Sequence, residues 1–301
     1  NSGGKTQSRV SRVSFVGALD YPKIQYLIRN IAGTWPSAAK VLEILLDEVI
    51  SKYRRNPMRE IEEIIDESAD KYSIKLRFPN GIVRQMVLSL IDREASFRLR
   101  KEIIESLRPF HISVFGEALW KDIVGESCYG GTIHYYSNEI ARLYRSTPVN
   151  LNISKYQLKT TVNQRVFDCP VCDGFLVTDF KEDIEEYFTV DKSVVVYRGL
   201  SDLKKKLILY SENRPKAQKV VEKAKETILA RHTYGHRLEA MAGIVNRIRE
   251  STRFARECVR ACDRNLPPQV SKLLERVQLR RMAGSGNDGI GSIGAGAYAG
   301  G

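Results

Sequence analysis

Apolar residues recur at three- and four-residue spacings through the first third of the chain. The pattern then changes to short β-rich runs separated by helical stretches. Arg12–Leu19 (RVSFVGAL) reads as a strand ending at Gly17. Pro22–Ile31, Ser37–Arg54 and Pro57–Tyr72 carry helical spacing, with Pro36 and Pro57 suited to helix starts. Ile74–Phe78 predicts a short extended piece, Pro79-Asn80-Gly81 a turn, and Ile82–Leu107 a helix or a pair. From His111 strands and helices alternate. Ile112–Phe115, Thr132–Tyr136, Val149–Ile153, Phe175–Thr178 and Val194–Tyr197 are the strands; Ser137–Tyr144, Thr161–Cys169 and Glu182–Phe188 are the helices. That alternation predicts an α/β fold with a parallel sheet and right-handed crossovers.

Beyond the last strand, Ser201–Ser211 and Arg214–His232 are amphipathic, and Tyr234–Asn265 is one long helix or two. Pro267-Pro268 interrupts the pattern, which resumes over Gln269–Met282. Asn1–Ser11 reads as a frayed end, and the Gly/Ala/Ser-rich Ala283–Gly301 as disordered, because neither can build a core. There is no internal repeat.

With 301 residues the chain holds one large domain or two small ones. Forty-eight Lys and Arg against 36 Asp and Glu give a formal charge of +12. That excess fits nucleic acid, nucleotide phosphates or an anionic membrane face, and equally a solvated surface. No apolar run is long enough to span a bilayer, and no signal-peptide core opens the chain. Five cysteines without framework spacing suit a reducing cytoplasm, where a basic chain could also lie peripherally on the membrane face.

The richest stretch is Asn163–Asp179 (NQRVFDCPVCDGFLVTD), a short helix pattern, a tight turn and a buried strand. The polar loop Ser154–Thr161 opens that helix. Free amides at a helix start suit a phosphate, which points to nucleotide handling. Thr160, Thr161 and Asn163 would supply N–H donors, with Thr160 a candidate N-cap, and Arg165 a cation one turn on. Gly17 would let backbone approach a diphosphate from the opposite wall. Tyr135, Tyr136 and Ser137, where strand turns to helix, are candidates for the base; both tyrosines could equally be packing residues.

Other motifs carry less. Gly3-Gly4-Lys5-Thr6 lacks the strand and first glycine of a phosphate loop. Cys169-x-x-Cys172 has no second ligand pair in range and reads as core. Cys258 and Cys262, one helical turn apart, read as packing. His232 and His236 share a helical face but lack the glutamate of a zinc-protease helix, so they read as packing or capping residues.

RVFDCPVCDGFLVTDF (Arg165–Phe180) resembles the C-terminal segment of GT-B glycosyltransferases, in particular the group related to the spore-maturation protein CgeB. DIEEYF (Asp183–Phe188), VVVYRGLSDLKKKL (Val194–Leu207), RHTYGHRL (Arg231–Leu238) and SNEIARLYRSTPVNLNIS (Ser137–Ser154) are similar to further elements of that group. The resemblance covers Ile112–Leu238, with RVSFVGAL as the opening strand. It implies a Rossmann-like, nucleotide-sugar-binding domain over 12–238, with a helical insertion at about 21–108, C-terminal helices at 239–282 and tails at 1–11 and 283–301. This corresponds to the C-terminal half of a GT-B fold. The acceptor-binding domain would then lie outside this sequence, on a further stretch of the same chain or on a partner chain. The resemblance assigns Asp168 to the ribose hydroxyls, since an ionised carboxylate is a pure acceptor suited to a diol. It puts Lys23 in register with a phosphate-binding lysine, and Asp173 in place of a turn glycine. Thr160 stands where the wider superfamily has a second acidic residue.

The function implied is transfer of a glycosyl group from a nucleotide-diphosphate sugar to a glycan, protein or lipid-linked acceptor, with no cofactor and no metal required. The competing reading is a basic nucleic-acid-binding or adaptor protein, supported by the Arg-rich helices Tyr234–Arg264 and Leu273–Arg281. It ranks lower because no helix-turn-helix or zinc pattern accompanies them.

Overall fold

The computed structural model describes residues 13–74 and 77–264. The tails expected at 1–11 and 283–301, the helix expected over Gln269–Met282 and the Gly3–Thr6 motif lie outside these residues. The chain divides after Thr233 into two units. The first opens with β1 (Val13–Val16) and four helices, α1 (Tyr21–Thr34), α2 (Pro36–Arg55), α3 (Ile61–Asp70) and α4 (Gly81–Ser106). Then come β2 (Ile112–Phe115), α5 (Leu119–Val124), β3 (Tyr129–Gly131), α6 (Asn138–Ser146) and β4 (Val149–Asn152). It closes with α7 (Arg165–Val171), β5 (Leu176–Asp179), α8 (Ile184–Tyr187), β6 (Val195–Tyr197), α9 (Leu200–Glu212) and α10 (Arg214–Arg231). The second unit holds α11 (Tyr234–Arg264), a single helix.

The six strands form one sheet in the order β3-β2-β1-β4-β5-β6, every pair parallel. This is a Rossmann-like α/β architecture. Strands β1, β4 and β6 are buried along their whole length, as expected of a parallel sheet covered on both faces. Alternate residues serve opposite layers. Phe15, Leu151, Val177 and Val195 pack with Trp120, Leu203 and Leu207. Val16, Leu176 and Val196 pack with Ile140, Tyr144, Val166 and Ile228. Polar strand residues are satisfied internally: buried Ser14 Oγ donates to Asn150 Oδ1 at 2.7 Å, and Asn150 Nδ2 donates to the Tyr144 carbonyl at 2.9 Å.

The four helices between β1 and β2 build a separate core from residues such as Ile24, Leu45, Ile64, Val87 and Ile91. Asn80 caps α4, its Oδ1 accepting from Val83 N at 3.0 Å. The first half of α4 (Val83–Ala95) sits in this helical core, while Ile103, Ile104 and Leu107 join the sheet core. One helix therefore ties the insertion to the sheet.

Several expectations shift. The second strand of the alternating region lies at Tyr129–Gly131 rather than Thr132–Tyr136. A Cβ on Gly130 would come within 2.4 Å of the Phe115 ring, so the edge strand forms where glycines let it lie on that ring. Helix α5 was not anticipated, its six residues being too few to show a period. No strand forms among the described residues of Ile74–Phe78. Helix α3 starts at Ile61, not Pro57. The helix expected from Thr161 begins only at Arg165. Thr160 does not cap it: its carbonyl accepts from Asp183 N at 3.1 Å and its hydroxyl donates to Asp183 Oδ2 at 3.3 Å.

The turn after α7 fits its sequence. Asp173 adopts φ 61°, in the left-handed region, and its carboxylate pairs with Lys225 at 2.6 Å. Beside it, a Cβ on Gly174 would lie 2.7 Å from Cys169 Sγ, 2.8 Å from Tyr144 Cβ and 2.9 Å from the Tyr144 carbonyl. Gly174→Ala should therefore destabilise the protein by about 1–3 kcal/mol, read as a lower urea midpoint at unchanged m.

Candidate functional site

A crevice of about 430 Å³ opens beyond the carboxyl ends of β1 and β4. Chain order around the sheet reverses between these strands: β1 is followed by β2 on one side, while β4, β5 and β6 continue on the other. Connections leaving such a point diverge to opposite faces and leave a gap, which is where open α/β sheets take ligands.

The post-β1 loop supplies Gly17 and Ala18, and the post-β4 loop supplies Lys155, Gln157 and Leu158. Asn163, Gln164 and Arg165 come from the entry to α7, Tyr135 and Tyr136 from the entry to α6, and Arg100 from α4. Of the residues singled out in the sequence, Gly17, Tyr136, Asn163 and Arg165 thus meet here, along with Tyr135. Gly17 is needed for packing as well as access, since a Cβ there would come within 2.6 Å of the buried Phe15 ring. Thr160 and Thr161 do not line the crevice. Lys23 does not either; it is exposed on α1, where its charge acts on Asp20.

Asn152, the last residue of β4 and fully buried, fixes the α7 side of the crevice. Its Oδ1 accepts from Asn163 Nδ2 at 2.9 Å and from an Arg165 terminal nitrogen at 2.7 Å, while its Nδ2 donates to Thr178 Oγ1 at 2.9 Å. The Arg165 guanidinium stands 5.7 Å from the Tyr135 ring centroid. Its Nε is buried without a hydrogen-bond partner, an uncompensated donor beside the crevice. The amide of Arg165 is occupied by Asn163 Oδ1 at 3.2 Å. With only seven residues in α7, the side-chain cations rather than a helix terminus give this wall its positive character.

Asp168, in the first turn of α7, does not line the crevice. It sits behind Tyr135, whose hydroxyl donates to its Oδ2 at 3.1 Å. Burial raises its pKa against the opposing pull of the Tyr135 hydrogen bond and the Arg165 charge. Tyr135 meets Tyr136 edge to face, with centroids 5.1 Å apart. Tyr136 itself is 82% exposed, and its hydroxyl donates to Gln164 Oε1 at 3.1 Å.

The loops after β1 and β4 are held by residues the sequence reading passed over. Arg100 is buried and donates to the carbonyls of Ala18 and Ile153, joining the post-β1 and post-β4 loops. Burial, aided by the nearby Arg165 charge, lowers its pKa to about 10, so it stays charged at neutral pH. Its signal was present: Ser96, Arg100, Ile103, Ile104 and Leu107 keep one helical face, and an arginine on such a face needs carbonyl or acidic partners. Asp20, only 8% exposed, pairs with Lys155 and with Arg93 at 2.7 Å.

Burial pushes the Asp20 pKa up, but the Lys155 hydrogen bond and the Lys155, Arg93 and Lys23 charges outweigh it, leaving it below 3.8. A depressed carboxylate contributes stability that is complete above the unfolded value and lost as pH falls through the folded one. Urea midpoints should therefore drop on acidification below about pH 4, and Asp20→Asn should flatten that part of the profile.

Among the described residues, no group of three or more His, Cys, Asp and Glu side chains is placed to hold a metal ion. Cys169 is buried, with its thiol pKa pushed up by burial, and Cys172 is half-buried. His232 packs on Phe167, Tyr187 and Phe188. No described helix is long and apolar enough to cross a membrane.

The sheet order and the crevice at its switch point define a Rossmann-like α/β protein. A glycosyl transferase-like family model matches residues 93–243, half of the chain, and the chain belongs to that family. The matched span runs from α4 into α11 and includes Arg100, Tyr135, Tyr136, Asn152, Lys155, Arg165 and Asp168. Membership implies a sugar donor and an acceptor. No curated protein and no solved structure matches the chain.

Proposed function

We propose that the crevice binds the diphosphate of a nucleotide-sugar donor and that the chain is the donor-binding part of a glycosyltransferase. The observation that carries this is that Lys155 and Arg165 both line a crevice at the β1/β4 switch point. Lys155 is tethered to Asp20 and Arg165 to Asn152, so both cations are held before a ligand arrives. Asn163 adds polar contact, and Gly17 leaves room for the phosphates. Tyr136 offers an exposed ring on which a base can stack. Asp168 takes the ribose diol once Tyr135 turns from its Oδ2; until then, Tyr135 stands between that carboxylate and the crevice.

In the reaction, the bond between the anomeric carbon and the diphosphate oxygen breaks and one to an acceptor nucleophile forms. The departing nucleoside diphosphate carries the electron pair, the proton of the acceptor hydroxyl passes to that diphosphate or to water, and Lys155 and Arg165 offset the growing charge. The acceptor is a glycan, a protein or a lipid-linked sugar. The acceptor is presented by the other domain of the GT-B fold, and the net positive charge suits work at an anionic membrane face.

The test is a thermal-shift panel of UDP, GDP, dTDP and their sugars, with duplex DNA as control. One nucleotide series should raise the melting temperature by mass action, and Asp168→Ala should remove most of that rise. A rise with DNA alone, steeply reduced by salt, would replace this reading with nucleic-acid binding.

A further inference from the structure

Away from the crevice, the least accounted-for surface lies on α11. From Arg237 to Arg253 none of its side chains is buried. Leu238 (64% exposed), Met241 (61%), Val245 (46%) and Ile248 (60%) form one stripe on this stretch. A helix in water owes most of its stability to packing an apolar stripe, so the partner of this one has to be found.

The spacing of the stripe identifies the kind of partner. Leu238, Met241, Val245 and Ile248 follow each other at intervals of three, four and three. In the sequence the same spacing continues, after a polar Thr252, through Ala255, Val259 and Cys262. Eight positions over four heptads describe the narrow seam of a coiled coil, with Leu238 and Val245 at a and Met241 and Ile248 at d. A helix lying in a bilayer surface instead needs a broad apolar face, usually with Trp or Phe, and a polar face rich in cations. Here the outer positions carry Glu239 and Glu250 as well as Arg247 and Arg253.

The flanking residues accept a second copy of the same helix. In a parallel, in-register pair, each g position meets the next e position of its partner. The resulting pairs are Arg237 with Ala242, Ile244 with Arg249 and Ser251 with Arg256. No like charges face one another, and the arginine stems can cover the seam. Thr252 puts a polar side chain at one a position, a device that fixes register at some cost in stability.

We propose that α11 pairs with α11 of a second copy in a parallel coiled coil, so that the protein is a dimer through this helix. The claim stands apart from the donor-binding reading and does not depend on it.

Sedimentation equilibrium of the full chain tests it. The expected mass is twice the 34.2 kDa of one chain. It should fall to a single chain when Val245→Glu and Ile248→Glu are combined, while Asn246→Glu on the outer face leaves the dimer intact. The thermal transition of the α/β unit serves as the check on folding. Orientation is read separately: in a chain carrying Cys258→Ser and Cys262→Ser, Met241→Cys should cross-link under mild oxidation, and Gly243→Cys should not. A monomeric wild-type chain, a dimer that survives the double substitution, or a monomer that pelts down with phosphatidylserine vesicles through this stripe would each overturn the proposal.

Discussion

Arg165→Ala should weaken nucleoside diphosphate binding by about 10- to 100-fold, because a charge-assisted hydrogen bond contributes about 1.5–3 kcal/mol. The fold should survive, since Asn152 Oδ1 keeps its bond from Asn163. Arg165→Lys should recover only part of the affinity: the charge returns, but the planar fork that reaches Asn152 and the phosphate together does not. Isothermal titration of each variant with the nucleotide found in the thermal-shift panel measures both effects. Equal affinity in wild type and Arg165→Ala would remove Arg165 from the site.

Arg100→Met should act on the fold first and on binding as a consequence. The methionine fills much of the same space but leaves the Ala18 and Ile153 carbonyls without their donor. Each buried unsatisfied acceptor costs about 1–3 kcal/mol, so a loss of about 3 kcal/mol is expected. In a domain of this size that lowers the melting temperature by about 6–12 °C. The loops that carry Gly17 and Lys155 lose their shared anchor, so nucleotide affinity should fall with stability rather than independently of it. In Arg165→Ala, by contrast, affinity falls while the melting temperature holds.

The parallel sheet was legible because its strands are short apolar runs punctuated by helical stretches, and the family wording between Arg165 and Phe180 marked a helix, a turn and a buried strand in that order. What could not be read was how loops meet. Thr160 looked like a helix cap because a threonine preceded the pattern, but its hydrogen bonds go to Asp183, 23 residues on, and the helix starts one turn later. Lys155 and Asp20 are 135 residues apart, and only the β1/β4 pairing brings them together. The sequence shows Arg100 as an arginine on a buried helical face, but not that its partners are the Ala18 and Ile153 carbonyls. Asn152 was the more readable omission, since an asparagine inside a buried strand must satisfy its amide. The hydrogen bond that puts Tyr135 in front of Asp168 was not legible, because nothing in the sequence pairs residues 33 apart on two different helix entries.

A crystal structure of the full chain with the best nucleoside diphosphate tests the central claim most directly. The account predicts both phosphates between Lys155 and Arg165 at the ends of β1 and β4, with the base against Tyr136 and Asp168 turned to the ribose. A nucleotide seated elsewhere on the chain, with the Lys155–Asp20 and Arg165–Asn152 contacts undisturbed and the crevice empty, would contradict it.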